Sequence, residues 1–154
     1  MPETLDIIGL GAFLDGMVGV AANPQCQDAL QTWCGEAKEE LGDWMKQEQA
    51  PDGPAHAPLA ASTVAKKGHS RILFEFGDLL DSVAGSGPGH IEEVTGNSAV
   101  LGTEHEKKGA PVASYLQHGT SRMPARPFIG ATEKMGDRAA ELVGESILEQ
   151  IDQL

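Results

Sequence analysis

The chain has 154 residues, 40% apolar and 22% charged, and its eleven basic and twenty-three acidic side chains give a formal net charge of −12. That length suits one ordinary domain with a real core, and the acidity disfavours nucleic-acid binding, which draws most of its affinity from Lys and Arg on phosphates. No apolar run approaches the roughly 18–20 residues of a membrane span, and the opening Met-Pro-Glu-Thr-Leu-Asp lacks the basic n-region of a secretory signal, so cytoplasmic synthesis is the expectation.

Residues 5–20 are apolar but carry four glycines, which fits a short strand or a weak, broken helix. The spacing of Gly9, Gly11 and Gly16 does not make a dinucleotide-binding G-x-G-x-x-G. Asn23-Pro24 then has the form of a helix start, a capping side chain followed by proline at the first helical position. Leu30, Trp33, Cys34, Ala37, Leu41, Trp44 and Met45 follow at helical spacing, with Asp28, Glu36, Glu39 and Asp43 away from that face. The pattern predicts a long amphipathic helix from about Pro24 to about Lys46, packed into a core. If both cysteines lie on it, Cys26 and Cys34 are about 12 Å apart along its axis, too far for a mutual disulfide. Buried thiols are the expectation.

Residues 47–62 hold three prolines and little periodicity, a long linker or loop. Ile72-Leu-Phe-Glu-Phe and Leu79-Leu80 return to the core. Gly85-Ser-Gly-Pro-Gly89 has the composition of a phosphate loop without its G-K-[ST] ending. The Gly96-Asn97 pair between His90–Thr95 and Ser98–Gly102 predicts a hairpin. Glu104–Gly109 reads as a polar loop and Pro111–Gln117 as a short strand or a helical turn. A C-terminal helix over about 132–152 is expected, capped by Thr132, with Met135, Ala139, Leu142, Val143, Ile147, Ile151 and Leu154 as its buried stripe. Glu133, Asp137, Glu141, Glu145 and Glu149 recur every four residues on its far side. They form either a solvated face or a strip that docks a basic partner or repels DNA.

The five histidines are scattered, and the sequence has no H-E-x-x-H, C-x-x-C or G-x-S-x-G. Glu104-His-Glu106 as a cation site and His118 beside Thr120 and Ser121 as an acid–base group lack the partners that would orient them. No catalytic residue, cofactor or metal is expected, and the chain is not read as an enzyme. The segment from Ala113 to Gly130 stands apart, because it carries Arg122 and Arg126, no acidic residue, and Pro124 and Pro127. The prolines predict a stiff extended arm over about 119–130. It is either a rigid connector or a docking arm whose contacts to a subunit or partner come from Tyr115, His118, Arg122, Met123, Pro124, Arg126, Pro127 and Phe128. Arg122-Met-Pro-Ala-Arg-Pro127 is also near a PxxP ligand of SH3-type domains, with the Arg one place out of register.

Four segments in order carry a resemblance. They are Ala57-Pro-Leu-Ala-Ala-Ser-Thr63-Val-Ala-Lys66; Ile72-Leu73 with Gly77-Asp-Leu79-Leu-Asp-Ser82-Val83; Tyr115-Leu-Gln-His118-Gly119-Thr120; and Met123-Pro-Ala-Arg126-Pro127-Phe128-Ile129-Gly130. Together, over about residues 57–152, they resemble the virion-morphogenesis, or tail-completion, proteins of long-tailed phages. The resemblance implies a structural virion protein at the head–tail junction, in a ring of identical subunits that is hexameric in that family. It would touch neighbouring neck, connector and tail proteins, with DNA passing through the lumen unbound and no membrane involved. A tail terminator capping the tube is the near alternative, and a small adaptor binding a partner through the Pro-rich arm is one of another class. The expected fold is α+β, a single domain over 1–154 with a long N-terminal helix and a C-terminal helix packed on a small antiparallel sheet.

Overall fold

The computed structural model describes residues 7–75 and 77–154, with side chains from Ala12 onward. The opening Met1–Asp6, the first two positions of the apolar 5–20 stretch and Phe76 of the 72–76 run lie outside the described residues. The fold is α+β, as expected: among the described residues it combines helices with one two-stranded antiparallel sheet.

The organising element is helix α2, Gln27–Lys46, which buries Ala29, Cys34, Ala37, Leu41, Gly42 and Met45 along one face. Burying those apolar side chains is worth about 1.5–3 kcal/mol for each large one. The predicted stripe is therefore the core stripe, and Asp28, Glu36, Glu39 and Asp43 point to solvent. Both cysteines are free and buried, as expected.

The start of α2 departs from the Asn23-Pro24 reading. The preceding segment is one helix, α1 (Ile7–Ala22), rather than a strand or broken helix, and the Asn23 N–H still bonds back to Gly19 O at 3.0 Å. Asn23 thus closes α1 instead of opening α2. Cys26 precedes α2 with no side-chain cap, its N–H donating to Gly96 O at 2.7 Å. A contact seventy residues away holds Cys26 outside the helix, which a local capping signature cannot register.

After α2 the chain folds back on itself. An isolated bridge joins Gln49 to Ala55, and the His56 N–H returns to Glu48 O at 2.8 Å. Helix α3 (Ala61–Lys67) takes up the end of the 47–62 stretch, and α4 (Asp78–Ala84) buries Leu79, Ser82 and Val83 against α2. Gly42 of α2 permits that approach, since a Cβ there would stand 3.0 Å from Ala84 Cβ.

The hairpin forms as predicted. Strand β1 (His90–Val94) pairs with β2 (Ala99–Thr103), from His90↔Thr103 to Val94↔Ala99. It is pinned to the helices by polar side chains. Lys38 Nζ on α2 donates to Glu92 Oε2 at 2.7 Å, and Thr103 Oγ1 donates to the fully buried Ser82 Oγ at 2.8 Å. The undecided 111–117 segment is a helix, α5 (Val112–His118).

Helix α6 (Glu133–Asp152) begins at the expected cap, with Thr132 Oγ1 accepting the Met135 N–H at 3.1 Å. It packs on α2 and α1, and Trp33 Nε1 donates to Met135 O at 2.9 Å. Only Met135 of its apolar stripe is fully buried. Ala139, Leu142, Val143, Ile147 and Ile151 are half-buried, and Leu154 is exposed. The stripe has the predicted phase, but the chain covers it incompletely.

Candidate functional site

The arm leaves α5 at Gly119, whose φ of +75° and ψ of 175° suit glycine. A Cβ there would stand 2.7 Å from Ala125 N, so the backbone can pass only if the side chain is absent. Thr120 and Met123 then pair across a tight turn, with the Thr120 N–H donating to Met123 O at 3.0 Å. This puts Arg122 at the tip, exposed, and no ion pair reaches it among the described residues.

Beyond the turn the arm is extended, as the prolines require, but it lies on its own chain. The Arg126 N–H donates to Leu116 O at 2.7 Å. The Arg126 side chain is 5% exposed, its Nε donating to Ala57 O at 3.0 Å and its Nη2 to Pro58 O at 3.1 Å. Phe128 is 1% exposed inside the main core cluster. Pro127 is half-buried.

The predicted contact residues therefore divide. Arg126 and Phe128 look inward and fasten the arm, so in this fold neither reaches a partner. Tyr115, His118, Arg122 and Pro124 look outward, and Met123 is half-buried. Among the described residues no side-chain hydrogen bond joins His118, Thr120 and Ser121, and no group of three side chains could hold a metal ion.

Where the arm crosses α3 and α5 it roofs a groove of about 490 Å³. Leu59, Leu73, Leu79, Leu116 and Met123 give it apolar walls. Lys67, Lys107, Arg122 and Arg126 outnumber its carboxylates, Glu75 and Asp78. Glu75 is paired with Lys107, and hydrogen bonding from that lysine holds its carboxyl below the usual range. Burial pushes the Lys67 amine down, with opposing pushes from Glu75 and Arg126. Leu73 at the wall has φ +58°, a strained value for a residue with a Cβ. Beside it the Arg71 guanidinium stacks 3.7 Å over the Phe74 ring. Sequence reasoning placed Arg122, Met123, Pro124 and Arg126 at one site, and the groove contains all four. It missed Lys67, Lys107 and Leu116, which come from three separate segments with no shared motif.

A second concave surface has the opposite charge. A cleft of about 660 Å³ between α2 and α6 is floored by Trp33, Ala37 and Met135. It is rimmed by six carboxylates against Lys134 and Arg138. Arg138 spans it, donating to Glu36 Oε2 at 2.8 Å and to Glu141 Oε2 at 2.6 Å. The hydrogen bond from Arg138 keeps the Glu36 carboxyl below its ordinary range.

Helix α1 completes the surface. Phe13, Leu14 and Val18 are exposed, Val18 by 67%, as are Leu148 on the helix it packs against and Leu154 just beyond that helix. No helix of the described residues is long and apolar enough to cross a membrane. No protein family, curated protein or solved structure matches the chain.

Proposed function

We propose that the protein is a structural component of a tailed-phage virion, acting at the head–tail junction in a ring of its own copies through which DNA passes. The observation that carries an assembly role is the apolar helix α1, which keeps Phe13, Leu14 and Val18 in water although α6 lies beside it. An exposed apolar face of this kind is characteristic of a surface that another chain covers. The choice of assembly rests on the order of the four segments between residues 57 and 152. A net charge of −12 supports a lumen that DNA traverses without sticking. On this reading the chain catalyses nothing, and its outward arm residues are Tyr115, His118, Arg122 and Pro124.

The tail-terminator reading shares the ring and differs in position. The adaptor reading has less support, because an SH3-type groove grips the prolines of an exposed extended ligand. Here the Pro-Ala-Arg-Pro-Phe run is fastened down through Arg126 and Phe128.

The test is the native mass of the purified chain across concentration, with its position in intact particles found by a labelled antibody. A closed oligomer, located at the neck, is expected. Location at the far end of the tail tube selects the terminator, and a monomer absent from particles rejects the virion role.

A further inference from the structure

Helix α6 displays a second pattern on its solvent side. Glu145, Leu148, Glu149 and Asp152 are all exposed, and they fall at i, i+3, i+4 and i+7, one face of a helix. Leu148 is 62% exposed at the middle of that stripe, with Glu145, Glu149 and Asp152 beside it. A single exposed leucine needs no explanation. A leucine flanked by acids does, on a chain that also carries an apolar groove bearing Lys67 and Arg122, since the two surfaces are complementary in polarity and charge. They cannot meet within one molecule. Helix α6 packs on α1 and α2, whereas the groove is lined by α3, α4, α5, the arm and the segments 73–75 and 105–107.

Resting on the ring reading above, we propose that the groove receives the outward stripe of α6 from a second copy. Leu148 enters between Leu73, Leu116 and Met123, and Glu145, Glu149 and Asp152 face Lys67 and Arg122. Each subunit then offers one groove and one stripe, on different elements. Such a contact is head-to-tail rather than two-fold, and it generates a ring when the rotation between copies closes. Arg122 gains a carboxylate partner across the interface that it lacks among the described residues. The stripe spans about 10 Å along the helix axis, so its leucine and flanking acids present one contiguous face to the groove. The rim charges steer the encounter and fix the register, and the buried leucine supplies a large part of the affinity.

The experiment uses the full chain with two substitutions, Arg122→Glu in the groove rim and Leu148→Asp in the stripe. Both positions are exposed, and thermal melts by circular dichroism check that each variant folds. Each variant alone is expected to weaken self-association at least about tenfold. An equimolar mixture of the two is expected to give a species of two subunits and nothing larger. One intact groove and one intact stripe remain, but on different molecules.

If both variants assemble like the unmodified chain, the contact is overturned while the ring reading stands. If Arg122→Glu alone abolishes assembly and Leu148→Asp does not, the stripe is overturned as the occupant of the groove. A mixture that stays monomeric overturns the head-to-tail pairing. An unmodified chain that remains monomeric up to about 1 mM overturns the ring reading and this contact with it.

Discussion

Gln117 and Ile129 are joined twice, the Gln117 Nε2 donating to Ile129 O at 2.8 Å and the Ile129 N–H donating to Gln117 Oε1 at 3.2 Å. The same Oε1 also accepts the Phe128 N–H at 3.1 Å. One amide side chain thus takes the place of a neighbouring strand for a stretch of arm that has none. Gln117→Leu keeps the volume and removes all three bonds. Leaving part-buried backbone groups unpaired is expected to lower stability by about 1–3 kcal/mol. Urea unfolding reads this directly, and an unchanged midpoint would contradict the role given to Gln117.

Gly119 and Gly109 separate two effects of adding a methyl group. Both have positive φ, +75° and +76°, but only Gly119 has backbone within 3 Å of a built Cβ. Gly109→Ala is expected to cost about 1 kcal/mol from backbone strain alone. Gly119→Ala carries the same strain and a collision with Ala125 N, so its thermal midpoint should fall clearly further. Equal shifts would mean that the arm can move away from α5 at little cost.

His56 gives the fold a pH dependence. Burial pushes its imidazole below the ordinary 6.5, the Arg126 cation pushes the same way, and Glu48 opposes them. Its Nε2 is buried without a hydrogen-bond partner among the described residues. With the folded value depressed, the unfolded chain binds the proton more readily. Stability is therefore full above the unfolded value near 6.5 and is lost as pH falls through the lower folded value. Unfolding midpoints from pH 7.5 down to 5 should decline, and His56→Gln should flatten that decline. A His56→Gln curve parallel to that of the unmodified chain would assign the dependence elsewhere.

Glu92 acts over a lower range. Hydrogen bonds from Lys38, then from His90, hold its carboxyl below the ordinary 4.5. The contribution is present above the unfolded value and is lost as pH falls through the folded one. Lys38→Met is expected to remove about 1 kcal/mol at neutral pH, and less once Glu92 is protonated. The gap between the two unfolding curves should narrow as the pH is taken below 4.

Residues whose environment is set by near neighbours were legible in the sequence. The buried face of α2 follows from apolar spacing, and Thr132 from capping chemistry. The extended shape of the arm follows from its prolines. What was not legible depends on distant partners. Arg126 is an arginine in a Pro-rich run, which reads as exposed, and two carbonyls 68 and 69 residues earlier bury it. The glycines of α1 argue against a helix locally, yet Gly16 sits where a Cβ would stand 2.8 Å from a Leu154 methyl carbon. The groove was half legible, because its arm residues cluster in sequence while Lys67 and Lys107 arrive from elsewhere.

The Trp33–Met135 bond spans 102 positions of chain, and this separation has a consequence for biosynthesis. The apolar face of α2 emerges from the ribosome long before α6 exists to cover it. At about 5–20 residues per second the delay is on the order of 5–20 s. During that interval the nascent chain holds Leu41, Met45 and the indole of Trp33 without their final neighbours. Its protection must come from the α4 contact or from chaperones. Moving a rare-codon pause into the stretch just before residue 133 would lengthen this exposure, and the yield of soluble protein should fall with it.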